Sequence, residues 1–160
     1  MSMRVAAVIA VLVAAPAFAQ EPVGCDKFKW PLDRERAMLA IAAPARGDIK
    51  DPLAAAYKLA LTPDAKLPMP PTRAPKPGTN AGFVNAAALP KAGTYRVTVS
   101  EAGWIDVFQD GHAVKSDAFS GVTGCAGIRK SVKFEINAAP FVVEISGVPA
   151  NSISFVITPD

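Results

Sequence analysis

A single histidine and two cysteines in 160 residues leave a transition metal little to hold. Softer metals bind through several imidazoles or thiolates, so multi-ligand zinc, copper and iron sites are excluded on composition, and no metal or cofactor is expected. Charge is thin as well: 19% of residues are charged and the formal net charge is only +3. The charges are mixed along the chain, with ten basic and seven acidic residues over 20–78 and six and seven over 79–160. Nucleic-acid binding needs a concentrated phosphate footprint interleaved with stacking aromatics; neither is present, so that partner is not expected. After the N-terminal segment no apolar run nears the roughly eighteen residues of a membrane helix, so no stable span is expected there.

What is present begins with export. Arg4 gives a positive start, Val5 to Ala15 is unbroken apolar sequence, and Ala17-Phe18-Ala19 sets small residues where signal peptidase cuts. Those eleven apolar residues rise only about 16 Å as a helix, roughly half the hydrocarbon thickness of a bilayer. The pattern predicts a signal peptide over residues 1–19 and a periplasmic or secreted product. A lipid-modified Cys25 is disfavoured by Pro22, which stands where an aliphatic residue would be wanted. In an oxidising compartment Cys25 and Cys125, one hundred positions apart with no Cys-x-x-Cys spacing, predict a structural disulfide. Closing a loop of this size stabilises a fold by up to about 4.7 kcal/mol through chain entropy.

The segment CDKFKWPLDRERAMLAIAA predicts a short helix over Leu32–Ala42. Pro31 suits an early helical position, Asp33 and Glu35 favour the first turn, and Met38, Leu39, Ile41 and Ala42 supply an apolar face. Ala54–Leu61 reads either way, because alanine favours helix while Tyr57, Leu59 and Leu61 alternate like a strand. Residues 66–78, KLPMPPTRAPKPG, hold five prolines and can be neither regular helix nor central strand. At about 3.1 Å per residue in polyproline geometry they reach roughly 40 Å, enough for a strap across a small domain.

From Phe83 onward, alternation with period two dominates. Tyr95, Val97 and Val99 share one face, as do Val132, Phe134 and Ile136, then Phe141, Val143 and Ile145, then Ile153, Phe155 and Ile157. Turn residues at Glu101-Ala102-Gly103, Asp110-Gly111, Asn137–Pro140 and Val148–Asn151 set a rhythm of about ten residues. The expected fold is mainly β: an antiparallel, jelly-roll-like sandwich of seven or eight strands over residues 81–160. Residues 20–65 form a helical or extended segment packed on it, and residues 66–80 form the strap.

The stretches GTYRVTVSEAGWIDVFQDG and VKFEINAAPFVVEISG resemble the jelly-roll modules found beside secreted enzymes, including pre-peptidase C-terminal and carbohydrate-binding domains. The start CDKFKWPL is similar to that of small exported bacterial proteins without an assigned activity. Some of those carry a dioxygenase label, which a chain whose only histidine is His112 cannot support, since the iron triad of such enzymes takes two histidines and a carboxylate.

Alternation over Trp104–Gln109 sends Ile105 and Val107 to one face and Trp104, Asp106 and Phe108 to the other. With the first set in the core, two aromatics and a carboxylate line the outer face, a combination that suits a sugar ring. The same residues are also natural docking points for the N-terminal segment and strap, in which case Asp106 needs a partner such as Arg34, Arg36 or Arg96. His112, with Ser116, Asp117 and Ser120 nearby, permits a serine-hydrolase sketch but lacks a nucleophile-elbow motif. Asp106, Asp110 and Asp117 do not have EF-hand spacing. Arg129, Lys130 and Lys133 read as a solvated strand edge, with anion binding as the other reading. The expected role is a non-catalytic binding or envelope-accessory module, with a glycan or an envelope protein as partner; the alternative is a small secreted hydrolase using His112.

Overall fold

The computed structural model describes residues 20–160. The predicted signal peptide lies outside the described residues. A 3-10 turn, Cys25–Lys27, precedes helix α1, Asp33–Ala40. Ten strands follow: β1 Ala43–Pro44, β2 Tyr57–Ala60, β3 Asn80–Ala86, β4 Gly93–Val99, β5 Trp104–Gln109, β6 His112–Ala113, β7 Ser116–Gly121, β8 Lys130–Ile136, β9 Phe141–Val148 and β10 Ser152–Pro159. They form a six-stranded sheet in the order β1-β2-β10-β4-β8-β7 and a four-stranded sheet in the order β3-β9-β5-β6. The facing quartets β2-β10-β4-β8 and β3-β9-β5-β6 have the interleaved order of a jelly roll, with β1 and β7 added at the edges.

The alternating residues do what their period requires. Tyr95, Val97, Val99, Val132, Phe134, Ile136, Phe141, Val143, Ile145, Ile153, Phe155 and Ile157 all enter one buried cluster between the sheets, together with Ile105 and Val107. Asp110 and Gly111 both take positive φ, 51° and 76°, which lets a two-residue turn join β5 to β6 with the twist that strands prefer.

Several expectations are revised. Eight of the ten described strands, β3 to β10, lie over residues 80–160 as expected, but β1 and β2 are added from ahead of the strap, and β1 runs parallel to β2. The ambiguous stretch before Thr62 resolves as strand β2, paired with β10, because Leu59 and Leu61 find places in the main core. The sandwich therefore recruits residues ahead of the strap as well as those after it. The helix closes at Ala40, so Ile41 leaves the expected apolar face and is 84% exposed. Strand β8 is no edge: β7 pairs along its far side, so Lys130 and Lys133 stand on an interior strand.

Each sheet has an outer face, and each outer face has a cover. The six-stranded sheet is covered by the N-terminal segment. Leu32 and Leu39 form a second buried cluster with Ala56, Ile128 and Val156, and Phe28, Trp30 and Met38 pack at its rim. Cys25 and Cys125 are joined by the expected disulfide. Glu35, in the first helical turn as expected, is buried and accepts from the Thr158 hydroxyl at 2.7 Å, with the Arg96 guanidinium 3.3 Å away. The four-stranded sheet is covered by the proline strap, which brings the candidate site together.

Candidate functional site

The strap meets β5 and β9 through their outward side chains. Asp106 and Glu144 are direct cross-strand neighbours. The Thr72 backbone N–H donates to Asp106 Oδ2 at 3.1 Å, the Thr72 hydroxyl donates to Asp106 Oδ1, and the Met69 N–H donates to Glu144 Oε1 at 2.9 Å. Prolines remove backbone donors, so the donors left at Met69 and Thr72 fix where the strap attaches. Trp104 completes the attachment: its indole N–H points to Thr72 Oγ1 at 2.9 Å and Asp106 Oδ1 at 3.0 Å. The partner of Asp106 is thus Thr72 with Trp104, and not Arg34, Arg36 or Arg96. Arg96 lies under the opposite cover with Glu35, and Arg36 donates to the Ala126 carbonyl.

Glu144 is 1% exposed, and its Oε2 has no hydrogen-bond partner among the described residues; the Ser146 hydroxyl is in the same position. Burial pushes the Glu144 carboxyl above the usual carboxylate range, the Met69 N–H opposes this, and the neighbouring Asp106 adds to it. Asp106 and Phe108 are both buried, and Phe108 borders a shallow cleft of about 230 Å³ with Pro68 and Met69. The three outward residues of β5 are therefore divided. Asp106 and Phe108 lie beneath the strap, while Trp104 stays partly exposed at its margin.

Beside Trp104 a trough of about 610 Å³ opens at one end of the sandwich. Its walls come from the strap (Arg73, Lys76), the β4–β5 turn (Ala102, Gly103), β7 (Phe119), Arg129 just ahead of β8 and Lys130 at its start. Arg73 lies over the Trp104 ring at 5.2 Å and Lys130 at 4.9 Å, and the Lys130 ammonium is also 5.9 Å from the Phe119 ring centroid. Phe119 itself is 60% exposed. Arg129 pairs with Glu21 and donates to the Val122 carbonyl at 2.7 Å. Burial pushes the Lys130 ammonium down from the usual lysine value, and Arg73 and Arg129 push the same way against the pull of Asp106 and Glu21.

Neither Phe119 nor Glu144 was singled out by the sequence reading. Phe119 sits in SDAFSG, a strand with little alternation, and Glu144 falls with Val142 and Ser146 on the outward face of FVVEIS, where alternation reads as an ordinary polar surface position.

His112 lies in the exposed β5–β6 hairpin, where its Nδ1 donates to the Asp110 carbonyl at 2.8 Å. Ser120 is buried in the other sheet and accepts from the Lys29 N–H at 2.9 Å. Among the described residues no side-chain hydrogen bond joins His112 to a serine or a carboxylate, and no group of three His, Cys, Asp or Glu side chains gathers as a metal site. Nor is any described helix long and apolar enough to cross a membrane. Compared with models of protein families, with curated proteins and with solved structures, the chain matches none.

Proposed function

We propose that the protein is a non-catalytic binding module of the periplasm or the extracellular space, an accessory of the cell envelope that takes a saccharide in the trough beside Trp104. The observation that carries this reading is a cleft of about 610 Å³ walled by two aromatic rings, Trp104 and the exposed Phe119. Its size falls in the range of about 300–1,000 Å³ typical of small-ligand sites. An exposed aromatic face offers the C–H side of a sugar ring a stacking surface, while strap carbonyls and cationic side chains at the rim can bond hydroxyls. The export pattern of residues 1–19 and the disulfide support the compartment. The likeness of the C-terminal half to carbohydrate-binding jelly rolls supports the ligand class.

The test is a glycan array probed with the disulfide-intact protein, followed by Phe119→Ala. That residue bears no hydrogen-bonding group and stands largely in solvent, so its loss should leave thermal unfolding unchanged. Retention of a glycan set that falls about tenfold or more in affinity in the variant is expected, as befits an aromatic anchor. Retention of no glycan at all would count against the proposal.

A further inference from the structure

We infer that the trough selects an acidic saccharide, with the anionic group of the sugar held by Lys130 and Arg73. This rests on the binding-module reading above and adds to it the charge of the ligand. Four cationic side chains line the trough, Arg73, Lys76, Arg129 and Lys130, against the single carboxylate of Glu21. That carboxylate is already engaged by the Arg129 guanidinium. The remaining three cations have no carboxylate within ion-pair distance among the described residues.

Lys130 is the most enclosed of them, half-buried where Arg73 and Lys76 are exposed. Its ammonium carries three donors, yet its hydrogen bonding within the protein is limited to the Gly103 carbonyl at 3.4 Å. Its other neighbours are the faces of Trp104 and Phe119, the positive charges of Arg73 and Arg129, and the carboxylates of Asp106 and Glu21, which lie beyond ion-pair distance and are engaged by Thr72 and by Arg129. The opposite cover provides an internal contrast. There Lys133 also lies over an indole, 4.6 Å from the Trp30 ring, but it is paired with Asp160 at 2.6 Å. Arg96 on the same face is paired with Glu35 and Asp160. Lys133 over Trp30 is neutralised by Asp160, whereas Arg73 and Lys130 over Trp104, and Lys29 at 5.1 Å from the Phe119 ring, have no carboxylate partner among the described residues.

Two cations gathered on one indole repel each other, and an anion placed between them removes the repulsion and accepts charge-assisted hydrogen bonds from both. A carboxylate, sulfate or phosphate on a sugar ring fits this arrangement, because the ring that bears it can lie against Phe119 while the anionic group reaches the Trp104 side. A free inorganic anion would leave Phe119 unused.

The experiment compares acidic oligosaccharides (uronate-containing, sulfated and phosphorylated) with neutral counterparts of the same backbone, on the disulfide-intact protein. Acidic forms should bind about tenfold or more tightly than their neutral counterparts, and added salt should weaken them. Lys130→Gln and Arg73→Gln should each reduce affinity about tenfold without a change in thermal unfolding. Arg73 lies on the exposed strap and makes no ion pair among the described residues, so Arg73→Gln keeps the test open should Lys130→Gln fail to fold. Equal binding of neutral and acidic forms would overturn the charge assignment and leave the binding-module reading standing; binding of neither would overturn both. Displacement by free sulfate or phosphate at the concentration at which the saccharide competes would overturn the sugar class. So would retention on phosphatidylglycerol vesicles with no glycan bound.

Discussion

Residues 25–42 and residues 66–78 each cover one outer face of the same sandwich, and the two covers are fastened in different ways. The N-terminal cover has a covalent anchor, a buried apolar cluster around Leu32 and Leu39, and a buried acid, Glu35, matched by Arg96 and Thr158. The strap contributes no residue to either buried apolar cluster. It is held by hydrogen bonds to two carboxylates on adjacent strands, one of which keeps an oxygen without a partner. Apolar burial and a cross-link resist local opening, whereas a strip of polar contacts at the surface can release on its own. The contrast places stability under one cover and adaptability under the other, and the adaptable cover carries Arg73 and Lys76 into the trough.

Breaking the disulfide attacks the stronger cover at its anchor. Replacing Cys25 and Cys125 by serine should cost up to about 4.7 kcal/mol in denaturant unfolding and free the segment around the 3-10 turn before the sandwich melts. The next largest effect is Glu35→Ala, which leaves the Arg96 guanidinium partly buried beside an empty site; a loss of about 3 kcal/mol is expected in the same measurement. The N-terminal cover would not be the anchored one if either change were silent.

The strap should respond more gently. Thr72→Val removes the hydroxyl shared between Asp106 and Trp104 and should cost about 1–2 kcal/mol. Trp104 fluorescence in a Trp30→Phe background should report this change ahead of global unfolding.

Smallest, and opposite in sign, is Glu144→Gln. Folding raises the Glu144 pKa, so its neutral form favours the fold: that contribution is fully present below the ordinary carboxylate pKa and is lost as pH climbs through the raised value. The amide keeps an oxygen for the Met69 N–H and removes a like charge opposite Asp106, so the variant should be more stable at pH 7 by about 1 kcal/mol or less. The gain should fade towards about pH 4, where Glu144 itself is protonated. A gain that persists unchanged in acid would show that the carboxylate pair puts no strain on the strap.

How much of this was legible in the sequence follows from the range of each interaction. Strand faces were legible because alternation is local: Tyr95, Val97 and Val99 face the core as their spacing requires, and so do Ile105 and Val107. The disulfide was legible because two cysteines behind a predicted signal peptide have one pairing. Neighbours were not. Lys130 looks like a strand-edge residue in sequence because SDAFSG barely alternates and so does not announce β7 as the partner of β8. The prolines announced a strap without saying which sheet it would cross, since polyproline geometry fixes direction and reach but no destination. The trough was hidden for the same reason: Arg73, Phe119 and Lys130 come from separate segments, and no short spacing joins them.

The contrast between the two covers is tested most directly by native-state hydrogen exchange on the disulfide-intact protein. The Met69 and Thr72 amides should exchange through local opening at free energies well below global unfolding, while the Arg36 amide, bonded to the Leu32 carbonyl, should be released only when the sandwich unfolds. Equal protection of the strap and helix amides would contradict it.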